Sequence, residues 1–339
     1  MTQPELAIVI VTYQSADVID ACLAAAEPTG AEIVVIDNAS TDGTQSRVAK
    51  RAAASSRIRL IANPENRGFA AAVNQGVHAS TAPFVLMLNP DAILCGRVDS
   101  MIQACSEPGA GAVGGKLIDA GGVPQRGFNV RRFPTPEALI FENLFINRLW
   151  PGNPVNWRFR CFDIDLNRAA EIDQPAGAFM MFPRHVWGQM QGLDEGFFPL
   201  WFEDVDFCKR IRSAGLRVLY RPDSIARHRG GHSLNSIGLG TKTEYWYVSL
   251  LRYSIKHFSL GGRVLTCLSV IGGLAPRLFV GAAHPSSPPP GNRFRDLSRV
   301  YGRVVSLAFG SIWKSKVAFG EVLFLSPAMR KNSVSNDAK

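Results

Sequence analysis

LAIVIVTYQSADVIDACLAAAEPTGAEIVVIDNAS, residues 6–40, holds one complete cycle of alternating structure. Residues 6–13 form an unbroken apolar, β-branched run, the pattern of a strand covered on both faces. Over 17–26, Val18, Ile19, Cys22, Leu23 and Ala26 recur at helical spacing. Residues 31–40 repeat the apolar strand and end in polar side chains. The cycle continues outward. Residues 43–54 predict an Ala-rich helix, 57–64 a short strand, 68–80 a helix after an Asn-Arg-Gly turn, and 82–91 a third strong strand. Such alternation implies an α/β fold, a mostly parallel Rossmann-like sheet with helices on both faces. Ligands of these sheets bind beyond the carboxyl ends of the strands. Each predicted strand ends in polar residues there: Thr12 and Tyr13, Asp37 and Asn38, Asn63 to Asn66, Asn89 to Asp91.

Residues 119–170 mix Pro and aromatics with Arg126, Arg131, Arg132, Arg148, Arg158 and Arg160, and read as a long excursion with a mobile part. A strand is expected again within 174–187. A helix over 205–215 is closed by Gly215, and 216–222 predicts a further strand. After His232 the pattern is helical and basic, broken by a loop at SSPPPG, 286–291. Two regions are therefore expected, a catalytic domain over 1–233 and a basic helical region over 234–339 with a disordered end.

The chain has 339 residues, 46% hydrophobic and 19% charged, enough for a sizeable core and unlike a disordered chain. The apolar run at 6–11 is too short for a signal peptide and lacks a basic start, so none is expected. Six scattered cysteines without a C-x-x-C pair argue against a zinc site or a disulfide framework. Up to His228 the chain holds 22 Lys+Arg against 24 Asp+Glu; after it, 15 against 4. The two parts thus carry −2 and +11, making the total of +9. A basic tail suits anionic lipid or nucleic acid. No aromatic-basic recognition motif supports nucleic acid.

Several residues carry chemistry or plain structure. Asp37, at a strand end, can accept hydrogen bonds from a base or ribose, or form the turn before ASTDGT. Gly68 at a helix start, with Arg67, suits an anion or a nucleobase edge; an ordinary capped helix is the alternative. Asp91 in LNPDA offers one hard oxygen ligand for a divalent cation, or closes a turn with Pro90. His228 in SIARHRGGHS is a metal-ligand candidate or an exposed loop histidine. Glu203, Asp204 and Asp206 open a helix whose buried stripe is Phe207, Cys208 and Ile211, with Lys209, Arg210 and Arg212 outside. Acids in a first turn complement the helix dipole. The aromatic approach GFFPLWF goes beyond that, because it desolvates a carboxylate and strengthens it as a base.

In order, VTYQS, VVIDNASTDGT, NPENRGFAAAVNQG, VLMLNPDA, GAFMMFPRHVW, GLDEGFFPLWFEDVDFCKRIRSAG and ARHRGGHS resemble the family 2 glycosyltransferases, over about residues 6–233. Within that family the chain looks most like the bacterial rhamnosyltransferases acting on N-acetylglucosaminyl-diphospho-decaprenol. The resemblance implies a GT-A fold and an inverting single displacement. Thr12 and Tyr13 fall where the family contacts the nucleoside, and Asp37 matches the carboxylate that holds the pyrimidine. Asn66, Arg67 and Gly68 lie in the segment beside it. Asn89, Pro90 and Asp91 occupy the Asp-x-Asp position. Asn in the first place leaves Asp91 as the acid for Mg2+ or Mn2+, with His228 completing the site. Asp204 matches the catalytic base. Trp201, Glu203, Arg229 and His232 are assigned to acceptor or phosphate. The implied reaction moves L-rhamnose from dTDP-rhamnose to a polyprenyl-diphosphate-linked N-acetylglucosamine in cell-wall linker synthesis. Other readings are a donor such as UDP-galactofuranose or a UDP-hexose, or a non-catalytic nucleotide-sugar scaffold.

The apolar blocks at 264–276 and 304–313 are too short for a span of about 20 residues. They read as amphipathic helices on an anionic surface, at the cytoplasmic face of the plasma membrane. Alternatively they pack on the catalytic domain or on a second copy of the chain.

Overall fold

The computed structural model describes residues 4–230, 238–283 and 290–313. The chain forms two compact units, Met1–Phe133 with Arg160–Glu195 and Glu203–Ser236, and Pro134–Phe159 with Gly196–Phe202 and Ile237–Lys339.

The first unit is built on a nine-stranded mixed sheet. Strands β1 (Leu6–Thr12), β2 (Glu32–Asp37), β3 (Ile58–Ala62) and β4 (Phe84–Leu88) are mutually parallel in the order β3-β2-β1-β4. Helices α1 (Ile19–Ala26), α2 (Thr44–Ala54) and α3 (Phe69–Ala79) connect them, as the alternation predicts. Side chains alternate between the faces because successive Cβ atoms of a strand point oppositely. Ile8, Ile10, Ile33 and Val35 pack with Leu23 of α1 and Val48 of α2. Val9, Val11, Val34 and Ile36 pack on the other face with Val73 and Val77 of α3.

Beyond β4 the pattern departs from expectation. Between 92 and 118, where no element was expected, lie β5 (Ala92–Leu94), α4 (Asp99–Cys105) and β6 (Ala110–Ile118). In the former excursion come β7 (Val130–Arg131) and, in the second unit, α5 (Pro136–Asn143), α6 (Ile146–Leu149) and α7 (Pro154–Phe159). Then follow β8 (Ala170–Glu171), β9 (Gln174–Pro175) and β10 (Phe179–Pro183). β10 inserts between β4 and β6 and runs antiparallel to both. It enters at the carboxyl end of β4, where Asn89 N–H donates to Ala178 O at 3.0 Å, so the chain can only run back down the sheet. Helix α8 (Arg184–Met190) follows, then α9 (Glu203–Ser213). The last strand, β11 (Arg217–His228), has 12 residues, extends six residues beyond the expected end at 222, and pairs with β6, β8 and β5.

α9 buries Phe207, Cys208 and Ile211 as its sequence predicts. Arg210 differs from the outward position expected. It turns back to the fully buried Asp206 carboxylate at 2.8 Å and also donates to Gly192 O. Asp206 is thereby a structural acid.

The second unit contains α10 (Leu239–His257), α11 (Leu260–Ala283) and α12 (Pro290–Trp313). Both apolar blocks lie inside longer helices, α11 and α12, of 24 residues each. Among the described residues no helix is long and apolar enough to cross a membrane. The blocks divide by face. Cys267, Val270, Leu274, Val304 and Ala308 are buried, whereas Leu265, Leu268, Phe309 and Trp313 are exposed. Of the expected loop at 286–291, Pro290 and Gly291 begin α12 and the rest lies outside the described residues, as does the segment after Trp313.

Candidate functional site

At the carboxyl end of β1, Thr12 stands in register with Asp37 on β2. Its hydroxyl donates to Asp37 Oδ2 at 2.8 Å. Ser40 N–H and hydroxyl and the Gln45 amide donate to the same carboxylate at 2.8, 2.6 and 2.7 Å. A carboxylate has about four acceptor sites, so Asp37 is saturated from within the fold. A ligand N–H reaches it by replacing one of these donors, of which Ser40 and Gln45 are half-buried and Thr12 is buried. Tyr13 follows directly, half-buried, and its carbonyl accepts from Ser15 Oγ at 3.2 Å. Asn66 Oδ1 accepts from Gly68 N–H at 2.9 Å and braces the start of α3, with Arg67 exposed between them. Gly68 sits at φ 84°, which favours glycine, and its carbonyl accepts from Asn38 Nδ2.

Sheet pairing brings Asp91 and His228 together. β5 and β11 run antiparallel with Ala92 opposite His228, so the carboxylate preceding β5 meets the imidazole ending β11. Asp91 Oδ1 lies 3.4 Å from His228 Nε2. Asp91 Oδ2 accepts from Gly230 N–H at 3.0 Å, and the Asp91 carbonyl accepts from Arg229 N–H. Burial acts to raise the Asp91 carboxyl, but His228 in its protonated form and the Gly230 N–H outweigh it and hold the group below the usual carboxylate range. His228 is 2% exposed, and its Nε2 is buried without a hydrogen-bond partner. A buried ring nitrogen left bare beside a carboxylate oxygen is what two ligands of one cation require, so this pair fits a divalent ion. No cluster of three or more His, Cys, Asp or Glu able to hold a metal occurs among the described residues, so the remaining ligands would be oxygens of diphosphate or water. Asn89 precedes the pair; its backbone is bound to Ala178 and Ala92. Arg229 extends outward to Asp17 at 3.4 Å, an exposed pair.

Asp204, in the first turn of α9, is gripped at both oxygens. Oδ2 accepts from Gly177 N–H and Oδ1 from Val205 N–H, each at 2.8 Å. Gly177 is needed for this approach, since a Cβ there would stand 2.8 Å from Asp204 Oδ2 and 3.1 Å from the Met87 side chain. Gly177 immediately precedes the backbone that pairs with Asn89, so Asp204 belongs to the same carboxyl edge as Asp91. Burial raises the Asp204 carboxyl; the two N–H groups and Arg131 oppose it without cancelling it. The result is a carboxylate more basic than usual and fixed in direction.

Neighbouring Glu203 is 6% exposed, and its Oε2 has no hydrogen-bond partner. Burial, then the Asp204 charge, push its carboxyl well above the ordinary value of 4.5. The folded state therefore binds this proton more tightly than the unfolded chain does. Its stabilising contribution is complete below 4.5 and lost as pH rises through the raised folded value. In urea unfolding, Glu203→Gln is expected to gain on the wild type as pH rises, by about 1–3 kcal/mol once the wild-type acid ionises. A stability difference independent of pH would overturn the buried-acid assignment.

Trp201 and Phe202 precede α9 at φ 75° and 70°. Within the second unit Trp201 packs edge-on against Trp246 at 5.6 Å, and Phe202 packs on Trp246 and Tyr253 at 5.2 and 5.4 Å. His232 lies outside the described residues. Two contributors escaped the sequence reading, Gly177 and Gln125. Gly177 stood inside a quoted motif but offered no side chain to assign. Gln125 sits in the irregular excursion and holds His228 from 103 positions away.

A family model described as Glycosyl transferase family 2 matches residues 7–186. The chain is similar to the N-acetylglucosaminyl-diphospho-decaprenol L-rhamnosyltransferase of Mycobacterium tuberculosis, with 29% identity over 250 residues, 67% of this chain and 77% of that protein. It is also similar to rhamnosyltransferase WbbL of Escherichia coli K12, with 32% identity over 93 residues, 27% of this chain and 34% of that one. Among solved structures, the mannosyltransferase PcManGT from Pyrobaculum calidifontis, in complex with GDP-Man and Mn2+, superposes with a TM-score of 0.51 at 19% identity, covering 92% of this chain and 88% of that one. At that identity the likeness concerns the fold.

Proposed function

The chain belongs to glycosyl transferase family 2, and from that membership we propose that this enzyme moves L-rhamnose from dTDP-rhamnose to a polyprenyl-diphosphate-linked N-acetylglucosamine, with inversion. The observation that carries the choice of sugar and acceptor is the 29% identity, over two thirds of the chain, to a rhamnosyltransferase named for that acceptor. In this reading Asp204 takes the proton from the attacking acceptor hydroxyl, a poor nucleophile until it is deprotonated. Backbone N–H groups at both its oxygens keep the carboxylate aimed while the hydroxyl approaches. Asp91 and His228 are the residues that would hold Mg2+ or Mn2+, and such an ion would supply charge stabilisation for the leaving diphosphate. Thr12, Tyr13, Asp37 and the turn from Asn66 to Gly68 form the nucleoside side. Trp201, Glu203 and Arg229 serve acceptor or phosphate. The deciding experiment is turnover of a panel of nucleotide sugars with a lipid-diphosphate N-acetylglucosamine acceptor. Preference for dTDP-rhamnose supports the proposal, and exclusive use of UDP-galactofuranose or a UDP-hexose overturns the donor.

A lipid-linked acceptor requires work at a membrane surface, on the cytoplasmic leaflet in this reading. The charge of +11 after His228 and the exposed Leu265, Leu268, Phe309 and Trp313 support it. Basic residues near anionic lipid contribute about 1 kcal/mol each, and inserted apolar side chains add a part that salt does not remove. The full-length protein is expected to co-sediment with anionic vesicles, with salt weakening the binding only in part. Replacing both Leu265 and Leu268 by Asp should lower the salt-resistant part by about tenfold, roughly 1.4 kcal/mol. Protein that stays in the supernatant at low salt would mean that no membrane surface is involved.

A further inference from the structure

The cation reading of Asp91 and His228 leaves open what keeps the imidazole in the form able to bind, since only a ring nitrogen without its proton can ligate. Gln125 meets His228 twice. Its Nε2 donates to the His228 carbonyl oxygen at 2.8 Å, and its Oε1 lies 3.1 Å from His228 Nδ1. The first contact fixes the amide, because a carbonyl oxygen accepts and never donates. The nitrogen end of the amide must therefore face that carbonyl, and the oxygen end must face the ring. Oε1 in turn accepts only, so in the neutral ring it is His228 Nδ1 that carries the proton. Nε2 is left with its lone pair, and it is the atom that lies 3.4 Å from Asp91 Oδ1 with no hydrogen-bond partner. Phe128 stacks flat on the ring at 5.3 Å and 10°, which opposes a ring flip that would exchange the two nitrogens. Gln125 is itself anchored, its N–H donating to Leu117 O at the end of β6.

We propose that Gln125 is a positioning residue that clamps the His228 imidazole as the Nδ1–H tautomer, with Nε2 presented to a divalent cation shared with Asp91. The proposal rests on the reading of that pair as a cation site. Second partners of this kind are worth roughly 10- to 100-fold in metal affinity. The test uses the full chain, with Mn2+ titrated in the presence of a nucleoside diphosphate and free Mn2+ read by its paramagnetic resonance signal. His228→Ala and Gln125→Met are each expected to weaken Mn2+ binding by roughly 10- to 100-fold. In parallel, long-range 1H–15N spectra of the metal-free protein, with the imidazole neutral, are expected to show the Nδ1–H tautomer in the wild type. In Gln125→Met the proton is expected to move to Nε2, where it can donate to Asp91. Unchanged Mn2+ affinity in His228→Ala overturns the cation site itself. Weakening by His228→Ala but not by Gln125→Met overturns the clamp alone. An Nε2–H tautomer in the wild type also overturns the clamp, and needs no variant to fold.

Discussion

Asp204→Asn is expected to keep the fold and nucleotide binding while losing transfer by at least about a hundredfold, the scale of a general base. The amide has nearly the volume of the acid but cannot accept the acceptor's proton at working pH. It also disturbs its own setting. Two backbone N–H groups, from Gly177 and Val205, now find one oxygen and one NH2, so one donor loses its acceptor. That costs about 1–3 kcal/mol, and the variant should melt a few degrees lower without unfolding. Thermal melts and nucleotide titrations therefore accompany the kinetics. The wild-type pH profile gives a second check. Because burial raises the Asp204 carboxyl, kcat/KM should fall, as pH drops, through a midpoint above the ordinary 3.8. Asp206→Asn should be far milder in turnover, since that acid serves Arg210. Near wild-type turnover in folded Asp204→Asn would falsify the base assignment.

Exhaustive chelation is expected to reduce transfer by about a hundredfold or more, with Mg2+ or Mn2+ restoring it. The leaving diphosphate gathers charge as the glycosidic bond breaks, and the exposed Arg229 that follows His228 is already drawn towards Asp17. Asp91→Ala and His228→Ala should each raise the Mn2+ concentration needed for half-maximal rate by about tenfold or more. Asp91→Ala also removes the acceptor for Gly230 N–H, so its effect should be the larger. If the rate survives chelation unchanged, the charge must be met by Arg229 or His232 instead.

The parallel half of the sheet was legible because each strand is covered on both faces and each intervening helix has a 3.6-residue stripe, as with Ile8, Val9 and Leu23. β6 was not. Its AGAVGG core reads as a loop, yet glycine is dictated by packing: a Cβ on Gly115 would stand 2.0 Å from the Phe179 ring. β5 has three residues and takes its pairing from β11, more than 130 positions away, which no local pattern reveals. The same holds for the site. Acids and histidines at strand ends could be named individually, because their chemistry is in the side chain. The amide of Gly177, the two-point hold of Gln125 and the saturation of Asp37 are properties of meetings between distant segments. Arg210 was misplaced for that reason; a helical wheel turns it outward, and the buried Asp206 carboxylate draws it in.

Trp201 and Phe202, consecutive bulky residues at left-handed φ just before α9, have an implication for engineering. Such conformations cost about 1–3 kcal/mol each and persist where surrounding contacts over-determine them. A search for heat-tolerant variants would find glycine at either position attractive, because glycine adopts left-handed φ without steric cost. It would also delete the ring that meets Trp246 or Tyr253 and loosen the entry into the helix that begins with Glu203 and Asp204. Sturdier proteins recovered at these two positions should therefore be slower ones. A programme of stabilisation does better to start elsewhere in the chain.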